Sequence, residues 1–275
     1  MPEQPGRWDI LWSFTRPHMK TLLLGLLLAL IGSAAGERST TAQLSDRFAA
    51  AFRQRAAEDG ETVSYERLTA ADVRLDFCRS CHSCFRSGIC PLDSVDDMGM
   101  LKQKMRDCDI LFLGSPVYMG RMSGFTKCVL DRLTGMSHRL ELLGKPTLLF
   151  MTTDSNHGQA AADDLDYILR FFCSSVINIG AFYKTGHPNL NYEEDMQPIL
   201  TETAEKLLQT WYDPRIAITD FQQKVFLSRI LITRRAIRLN LGSVEAQAVH
   251  DAGLDRYVLL TEAIEDLCMR KKVRR

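Results

Sequence analysis

Residues 22–31 read LLLGLLLALI and lead directly into GSAAGERS at residues 32–39. A continuous apolar run of this length is typical of a strand buried on both faces of a parallel sheet. Basic residues before it and small residues after it are also typical of a signal peptide, since the run is too short to cross a bilayer as a helix. We favour the strand, because the polar segment after it has the composition of a phosphate-binding loop, which cleavage would destroy.

The rest of the chain repeats this pattern of an apolar strand followed by a helix. Five strands are predicted at residues 22–31, 62–68, 109–114, 147–153 and 175–183, with helices at residues 39–57, 96–106, 122–135, 158–172 and 193–211. The alternation predicts an α/β fold, a doubly wound five-stranded parallel sheet with helices on both faces. Right-handed crossovers then place the loops that follow the strands along one edge, where ligands bind.

Three further segments complete the domain organisation. Residues 1–20 are predicted to form an N-terminal arm in front of a main domain at residues 21–212. A cysteine-rich loop at residues 75–95 interrupts the strand and helix pattern of that domain. Residues 213–275 are predicted to form a helical C-terminal extension, with dimerisation and closure of a lid as its candidate roles.

The composition is that of an ordinary globular protein. Of 275 residues, 45% are hydrophobic and 25% are charged, which excludes a disordered chain. Lys plus Arg and Asp plus Glu both number 34, so the net charge of zero gives no indication of nucleic acid as a partner. Basic residues are nevertheless concentrated at residues 229–238 and 270–275, a pattern typical of a solvated helix face or of a surface for an anionic partner or membrane. We expect a cytoplasmic protein without a transmembrane segment.

Two loops after predicted strands carry candidate binding residues. The first runs into a helix N-terminus, where free N–H groups and hydroxyls suit a monoester phosphate, although the same residues are typical of a helix capped by Ser39 or Thr40. The second, GSPVYMG at residues 114–120, is either a tight turn on the core or a stiff loop with an aromatic face for a flat ring. The candidates are Ser33, Arg38, Ser39, Thr40 and Thr41 in the first loop and Pro116, Val117, Tyr118, Met119 and Gly120 in the second.

Four of the eight cysteines lie within CRSCHSCFRSGIC at residues 78–90. The spacing C-x2-C-x2-C-x5-C, followed by Pro91, is similar to ferredoxin-type ligation of an iron–sulfur cluster. Zinc held by the four thiolates and free or redox-regulated thiols are the alternatives. The other cysteines are scattered singly, which argues against the disulfide framework of a secreted protein.

The two loops and the helix after the second resemble those of a known family, the NADPH-dependent FMN reductases of the flavodoxin-like superfamily. The resemblance covers about residues 22–185 and is carried by Leu30-Ile31-Gly32-Ser33, Ser39-Thr40, Gly114-Ser115-Pro116-Val117-Tyr118-Met119-Gly120, Ser123-Gly124, Lys127 and Asp131-Arg132. It implies a flavodoxin-like sheet, an FMN phosphate held by the first loop and an isoalloxazine ring wrapped by the second. It also implies that a third loop lies against the flavin, with Thr153, Asp154, Ser155 and His157 as its binding residues.

One position departs from the family pattern. Members often carry Arg or Lys just after Gly-Ser-Pro, where this chain has Ala34 and Ala35. Arg38 is the candidate replacement, with weaker phosphate binding as the alternative. His157 is more typical of a hydrogen-bonding residue than of a catalytic one. No Ser, His and Asp arrangement suggests hydrolysis, and no catalytic side chain is predicted.

The cysteine motif also resembles that of the iron–sulfur flavoproteins, a subgroup of this family, and lies at the same place between the second strand and the next helix. This resemblance implies that Cys78, Cys81, Cys84 and Cys90 ligate a [4Fe–4S] cluster. It implies an enzyme that moves electrons from NAD(P)H or a reduced protein donor through FMN to an unknown acceptor, with the cluster as relay. A non-catalytic electron carrier, a plain NAD(P)H:FMN or quinone reductase without a cluster, and a redox or metal sensor are the alternatives.

A homodimer or higher homo-oligomer is expected, because FMN sites in this superfamily are often completed across a dimer. The C-terminal extension supplies the candidate contact residues, which are Phe221, Phe226, Ile230, Leu231 and Ile237. A small molecule or a protein is expected as the redox partner.

Overall fold

The computed structural model describes residues 24–154, 157–183 and 192–274. The predicted N-terminal arm and Ser155 lie outside the described residues. Five parallel strands form the central sheet, in the order β2-β1-β3-β5-β6, and a short antiparallel strand, β4, pairs with the end of β3. The strands are β1 (Leu24–Ile31), β2 (Thr62–Thr69), β3 (Ile110–Tyr118), β4 (Arg121–Met122), β5 (Pro146–Thr153) and β6 (Ser175–Tyr183).

Helices cover both faces of this sheet. α1 (Thr40–Glu58) and α7 (Tyr192–Tyr212) pack on one face, and α3 (Met98–Asp107), α4 (Gly124–Arg132) and α6 (Gly158–Arg170) pack on the other. The short helices α2 (Ser83–Arg86) and α5 (Thr134–His138) lie in the cysteine-rich loop and directly after α4. The predicted flavodoxin-like α/β fold is therefore confirmed, and the prediction of a single helix at residues 122–135 is wrong, since α4 and α5 divide that segment.

The central strands β1, β3 and β5 are mostly apolar because both of their faces are buried. In β1, Leu28 and Leu30 point into the core under α3, α4 and α6, whereas Leu27 and Ala29 point into the core under α1 and α7. The continuous apolar run at residues 22–31 is explained by the burial of β1 on both faces, as expected for a central parallel strand.

The strand order fixes where the loops meet. β2 lies on one side of β1 and β3 lies on the other, so the chain reverses its direction of winding between β1 and β3. The loops that leave the carboxyl ends of these two strands diverge and open a crevice, the position at which open α/β sheets bind ligands. The first and second predicted loops are the two walls of this crevice.

The C-terminal extension is helical, as predicted, and packs at the opposite edge of the sheet. It contains α8 (Asp220–Arg238), α9 (Val244–Asp251) and α10 (Leu260–Arg274). Its core includes Leu140 and Cys173, which precede β5 and β6, and a Cβ added at Gly144 would lie 3.1 Å from Ile264. The extension therefore covers the amino ends of the strands, away from the crevice.

Two candidate subunit contacts are instead part of this internal core. Phe226 and Ile230 are fully buried between α8 and the other helices of the extension, so they are not available to a second subunit. Leu231, the next residue, is exposed. None of the helices in the described part of the chain has the length and apolar character needed to cross a membrane.

Candidate functional site

The first loop presents free backbone donors at the start of α1. Ser39 is the N-cap, and its Oγ accepts a hydrogen bond of 3.1 Å from the N–H of Ala42. The capped-helix interpretation of this loop is therefore confirmed, and it is compatible with anion binding. Among the described residues no acceptor is assigned to the N–H groups of Ser33, Ala34 and Thr40. Free N–H groups at a helix N-terminus favour a phosphate group.

An ion pair engages the acidic residue of this loop but not its arginine. Glu37 forms a 2.6 Å ion pair with Arg67 on β2, which also pairs with Asp46, so one positive charge is shared between two carboxylates. Arg38 is exposed at the end of a 3-10 turn and forms no ion pair with any described residue. Arg38 is therefore a cation that the loop can offer to an anionic ligand.

The first loop packs closely against the second at a cluster of buried hydroxyl groups from Ser115, Ser123 and Thr126. The N–H of Gly32 donates to the carbonyl of Gly114 at 2.7 Å. Directly beside it, Ser115 Oγ accepts hydrogen bonds from the N–H of Ser123 at 2.9 Å and from Thr126 Oγ1 at 3.1 Å. A Cβ at position 32 would lie 2.1 Å from Thr126 Oγ1 and 2.5 Å from Ser123 Oγ. Only glycine permits this approach, so the width of the crevice depends on Gly32.

The second loop is mostly strand rather than loop. β3 continues through Tyr118, and Tyr118 pairs with Arg121 across a two-residue turn in which Met119 and Gly120 have φ values of 50° and 75°. Positive φ at both central residues defines a type I′ turn, which matches the twist of a hairpin. The turn leaves Tyr118 exposed and Met119 completely exposed at the rim of the crevice. Pro116 and Val117, by contrast, lie within the strand, where Pro116 is buried.

The third loop lies against both of the others where it is described. Thr152, at the end of β5, shares a 2.6 Å hydrogen bond between hydroxyl groups with Thr41. A Cβ at Gly120 would lie 3.6 Å from the Cβ of His157. His157 and Asp154 are exposed, and Thr153 is buried. The three loops thus meet at one edge of the sheet.

The predicted residues differ in whether the polar atoms of their side chains are already hydrogen-bonded within the protein. The side chains of Ser39 and Thr41 are buried and hydrogen-bonded within the protein, so they support the loop. Arg38 and Tyr118 are exposed at the rim. The hydroxyl cluster of Ser115, Ser123 and Thr126 was not among the predicted site residues. Its signal was Ser123, a residue type favoured as an N-cap, directly before a helix.

The cysteine-rich loop runs along α4 and α5. Cys78 and Cys81 are exposed, and Cys84 and Cys90 are half-buried. Burial raises the pKa of Cys84, and the charges of Cys90 and Cys78 raise it further. A hydrogen bond with Ser83 lowers the pKa of Cys81. Within the described ranges no three His, Cys, Asp or Glu side chains stand together in a metal-binding arrangement.

A fully buried arginine on α4 binds residues near both ends of this loop. The side chain of Arg132 has no exposed surface and pairs with Asp96 at 2.5 Å and Asp93 at 2.9 Å. Its Nη1 also donates to the carbonyl of Asp76, two residues before the first cysteine, at 2.8 Å. Its Nε is buried without a hydrogen-bond partner in the described structure. Arg132 therefore holds both ends of the cysteine-rich loop.

The same loop touches the C-terminal extension through His138. Phe85 packs edge-on against the His138 ring at 4.9 Å. Nδ1 of His138 lies 3.0 Å from both Arg229 Nη1 on α8 and Glu245 Oε1 on α9. One nitrogen cannot accept a hydrogen bond from Arg229 and donate one to Glu245 at the same time, so the protonation state of His138 decides which contact forms.

Acidification is expected to destabilise the folded protein through His138. Burial and the charge of Arg229 lower the pKa of His138 below its ordinary value of about 6.5, against the opposing effect of Glu245. As the pH falls below about 6.5, the unfolded chain takes up a proton that folded His138 resists, so stability is lost in this range. Thermal melts at about pH 7.5 and about pH 5.5 should show a smaller acid-induced fall in Tm for His138→Gln than for the wild type.

His250 provides the matched control, because Asp255 raises its pKa and the linkage has the opposite sign. Its contribution is present at low pH and is lost as the pH rises through the folded-state pKa, so His250→Gln should make the acid-induced fall in Tm larger. Equal changes in the two variants would contradict the assignment.

Residues 26–187 match the model of the NADPH-dependent FMN reductases, which is more than half of the 275-residue chain. The chain belongs to this family. It is therefore a member of a family of FMN-dependent oxidoreductases, as the loop motifs predicted, and the family supports FMN as the cofactor.

Its relatives among characterised proteins include iron–sulfur flavoproteins. One from Methanocaldococcus jannaschii is 33% identical over 106 residues, which cover 38% of this chain and 50% of that protein. One from Archaeoglobus fulgidus is 31% identical over 80 residues, which cover 29% of this chain and 36% of that protein. The chain thus spans about half or less of the length of these relatives.

Solved structures share the fold at low sequence identity. An oxidoreductase from Corynebacterium diphtheriae superposes with a TM-score of 0.53 at 18% identity, over 68% of this chain and 96% of that one. RosB superposes with a TM-score of 0.52 at 15% identity, over 78% of this chain and 87% of that one.

Proposed function

We propose that this NADPH-dependent FMN reductase family member binds FMN in the crevice between β1 and β3 and transfers electrons from NAD(P)H, or from a reduced protein donor, to an acceptor still to be identified. The observation that carries the proposal is the convergence of free N–H groups and an exposed aromatic rim at the β1/β3 crevice. FMN would supply the redox chemistry when bound, and the protein would supply binding and orientation.

Each part of the crevice has a distinct role in this proposal. The N–H groups of Ser33, Ala34 and Thr40, with Arg38, would bind the phosphate. Tyr118 and Met119 offer an aromatic and a polarisable surface to the flat ring. The surroundings of the ring would be completed by the remaining predicted residues of the second and third loops, which are Pro116, Val117, Gly120, Thr153, Asp154, Ser155 and His157.

Cys78, Cys81, Cys84 and Cys90 are proposed to hold a [4Fe–4S] cluster, which would act as a one-electron relay. The donor set fits chemically, because four thiols lie within thirteen residues and ferredoxin-type clusters are held by four thiolates. Arg132 lies beneath the same loop. Burial lowers its pKa, but hydrogen bonds to Asp96 and Asp93 raise it overall, and its buried Nε lacks a partner among the described residues. The iron–sulfur flavoprotein relatives support the proposal by name.

The first experiment is an absorption spectrum of anaerobically purified protein, with iron and sulfide assays on the same sample. Flavin bands with a visible shoulder that dithionite bleaches, and iron and sulfide in matching amounts, would support both cofactors. Flavin without iron would leave an FMN reductase with a cysteine-rich loop. No flavin after incubation with excess FMN would overturn the proposal. Turnover with NADH or NADPH then separates an enzyme from a non-catalytic carrier.

Cys84→Ser is expected to abolish iron and sulfide incorporation while the FMN content stays unchanged, since none of the residues proposed to bind FMN belongs to the cysteine-rich loop. Cys268→Ser is the matched control, because it removes a half-buried thiol in α10, outside both sites. Iron retained at wild-type levels in Cys84→Ser would rule out this residue as a ligand. Iron lost equally in both variants would point to misfolding instead.

A homo-oligomer remains a prediction. Of the five predicted contact residues, Phe226 and Ile230 are buried inside the chain, whereas Phe221, Leu231 and Ile237 are not fully buried. Light scattering during gel filtration at micromolar concentration would decide, and a monomeric mass would contradict the prediction.

A further inference from the structure

The outer face of α8 carries basic and large apolar side chains side by side. We define the α8 outer patch as Lys224, Leu231, Ile232, Arg235, Arg238, Leu239 and, directly after the helix, Leu241. Its four aliphatic side chains are 55%, 58%, 51% and 63% exposed in chain order. At 100° per residue the five helical positions and Leu239, the C-cap residue, span about a third of the helix circumference. The buried positions of α8, which include Phe226, Ile230 and Thr233, lie on the opposite side.

The charges of this patch are not neutralised within the described residues. Lys224, Arg235 and Arg238 take part in none of the ion pairs of the described structure. The neighbouring Arg234 donates to the backbone carbonyls of Asp255 and Tyr257, so it keeps its full charge. Residues 221–238 contain no acidic residue, and the exposed Asp220, the first residue of α8, lies four positions before Lys224.

A second copy of the chain is a poor occupant for this patch. Two-fold symmetry would bring the patch of one protomer against the same patch of its partner, so that at least three cations on each side would face one another. Like charges placed together across an interface oppose association.

An electron-transfer partner is also a poor occupant. The extension covers the amino ends of the strands, as the contacts of Leu140, Gly144 and Cys173 show. The crevice is at the carboxyl ends, so a protein docked on the α8 outer patch would sit far from the proposed flavin site.

We infer that the α8 outer patch docks the protein on an anionic lipid surface. Exposed Leu and Ile side chains enter the boundary between headgroups and acyl chains, and the neighbouring arginines lie at the depth of the lipid phosphates. This pairing of apolar insertion with basic charge is what peripheral binding to anionic membranes requires. The inference is independent of the cofactors and concerns a surface remote from the crevice.

The test is cosedimentation of the full chain with sucrose-loaded vesicles. Vesicles of phosphatidylcholine with about 30% phosphatidylserine should bind the protein, and pure phosphatidylcholine vesicles should bind at least about tenfold less. Binding to the anionic vesicles should weaken as salt is raised.

Two variants address the two chemistries of the patch. Arg235→Gln/Arg238→Gln should reduce the vesicle partition coefficient about tenfold or more, and Leu231→Ser/Ile232→Ser should reduce it comparably. Arg53→Gln/Lys206→Gln is the charge-matched control, since it removes two exposed basic residues from α1 and α7 and should leave binding unchanged. Circular dichroism melts confirm that each variant is folded.

Three results would overturn the inference. These are the absence of binding to anionic vesicles, an equal reduction in the control variant, and a dimer that dissociates in Leu231→Ser/Ile232→Ser while vesicle binding is unchanged. The last result would assign the patch to a second copy of the chain. Loss of FMN binding in an otherwise folded protein would bear on the proposed function and not on the patch.

Discussion

Arg132→Met is expected to lower the free energy of unfolding by about 3–5 kcal/mol, the typical effect of removing one partner from a buried ion pair. Arg132 is completely buried, and the carboxylate of Asp96 is only 2% exposed, so the variant leaves a buried charge without its cation. Burial tends to raise the pKa of Asp96, but the hydrogen bond from Arg132 keeps it below its ordinary value. In Arg132→Met the hydrogen bond is lost, so burial is expected to raise the pKa of Asp96 above its ordinary value.

The effect should extend to the cysteine-rich loop, because Arg132 also binds the carbonyl of Asp76 and the carboxylate of Asp93. Urea unfolding followed by circular dichroism measures the stability, and an iron assay measures the loop. Lys127→Gln is the matched control on the same helix. The Lys127–Asp131 pair is about half exposed, so its loss should cost about 0–1 kcal/mol. Adding Asp96→Asn to Arg132→Met should recover part of the loss, and its failure to do so would contradict the buried-charge explanation.

Gly32→Ala is expected to weaken FMN binding by at least about a hundredfold and to destabilise the protein by about 1–3 kcal/mol. The new methyl group would lie 2.1 Å from Thr126 Oγ1 and 2.5 Å from Ser123 Oγ. Both hydroxyls are buried and bonded to their neighbours, so neither side chain can move without breaking the cluster beneath the crevice. The first loop must then move away from the second.

Gly124→Ala is the matched control, because a Cβ there meets no atom within 4 Å. Gly124 is the first residue of α4, at the same crevice, and its φ is not positive. Alanine at this position should therefore leave the FMN affinity unchanged and the stability of the protein equal or slightly higher. Fluorescence titration of apoprotein with FMN measures the affinities. An unchanged affinity in Gly32→Ala would show that FMN does not use this crevice.

Local patterns in the sequence predicted the sheet and the loops around the crevice. The apolar run of β1 and its polar loop identified the first wall, and the motif at residues 114–120 identified the second. What those patterns could not predict was the extent of β3, since Pro116 and Gly114 are typical of turns and only pairing with β5 keeps them in the sheet. The type I′ turn was missed for the same reason, because Met at positive φ is unusual.

Burial of polar and apolar side chains was harder to predict, because it depends on contacts between distant segments. Arg132 follows an apolar stretch of α4, and its three acceptors lie between 36 and 56 residues earlier in the chain. Phe226 and Ile230 were predicted as possible contacts with a second subunit. Their actual neighbours are in α10 and before β5 and β6, which no pattern within α8 reveals.

The contact between the cysteine-rich loop and the extension also sets an order of events during synthesis. A Cβ at Gly88 would lie 3.1 Å from Val244, so residues made early in translation are covered by residues made more than 150 positions later. At about 5–20 residues per second, Gly88 is synthesised roughly 8–30 s before Val244. The cysteine-rich loop therefore lacks this contact during that interval, and the helices translated last pack against its flank afterwards.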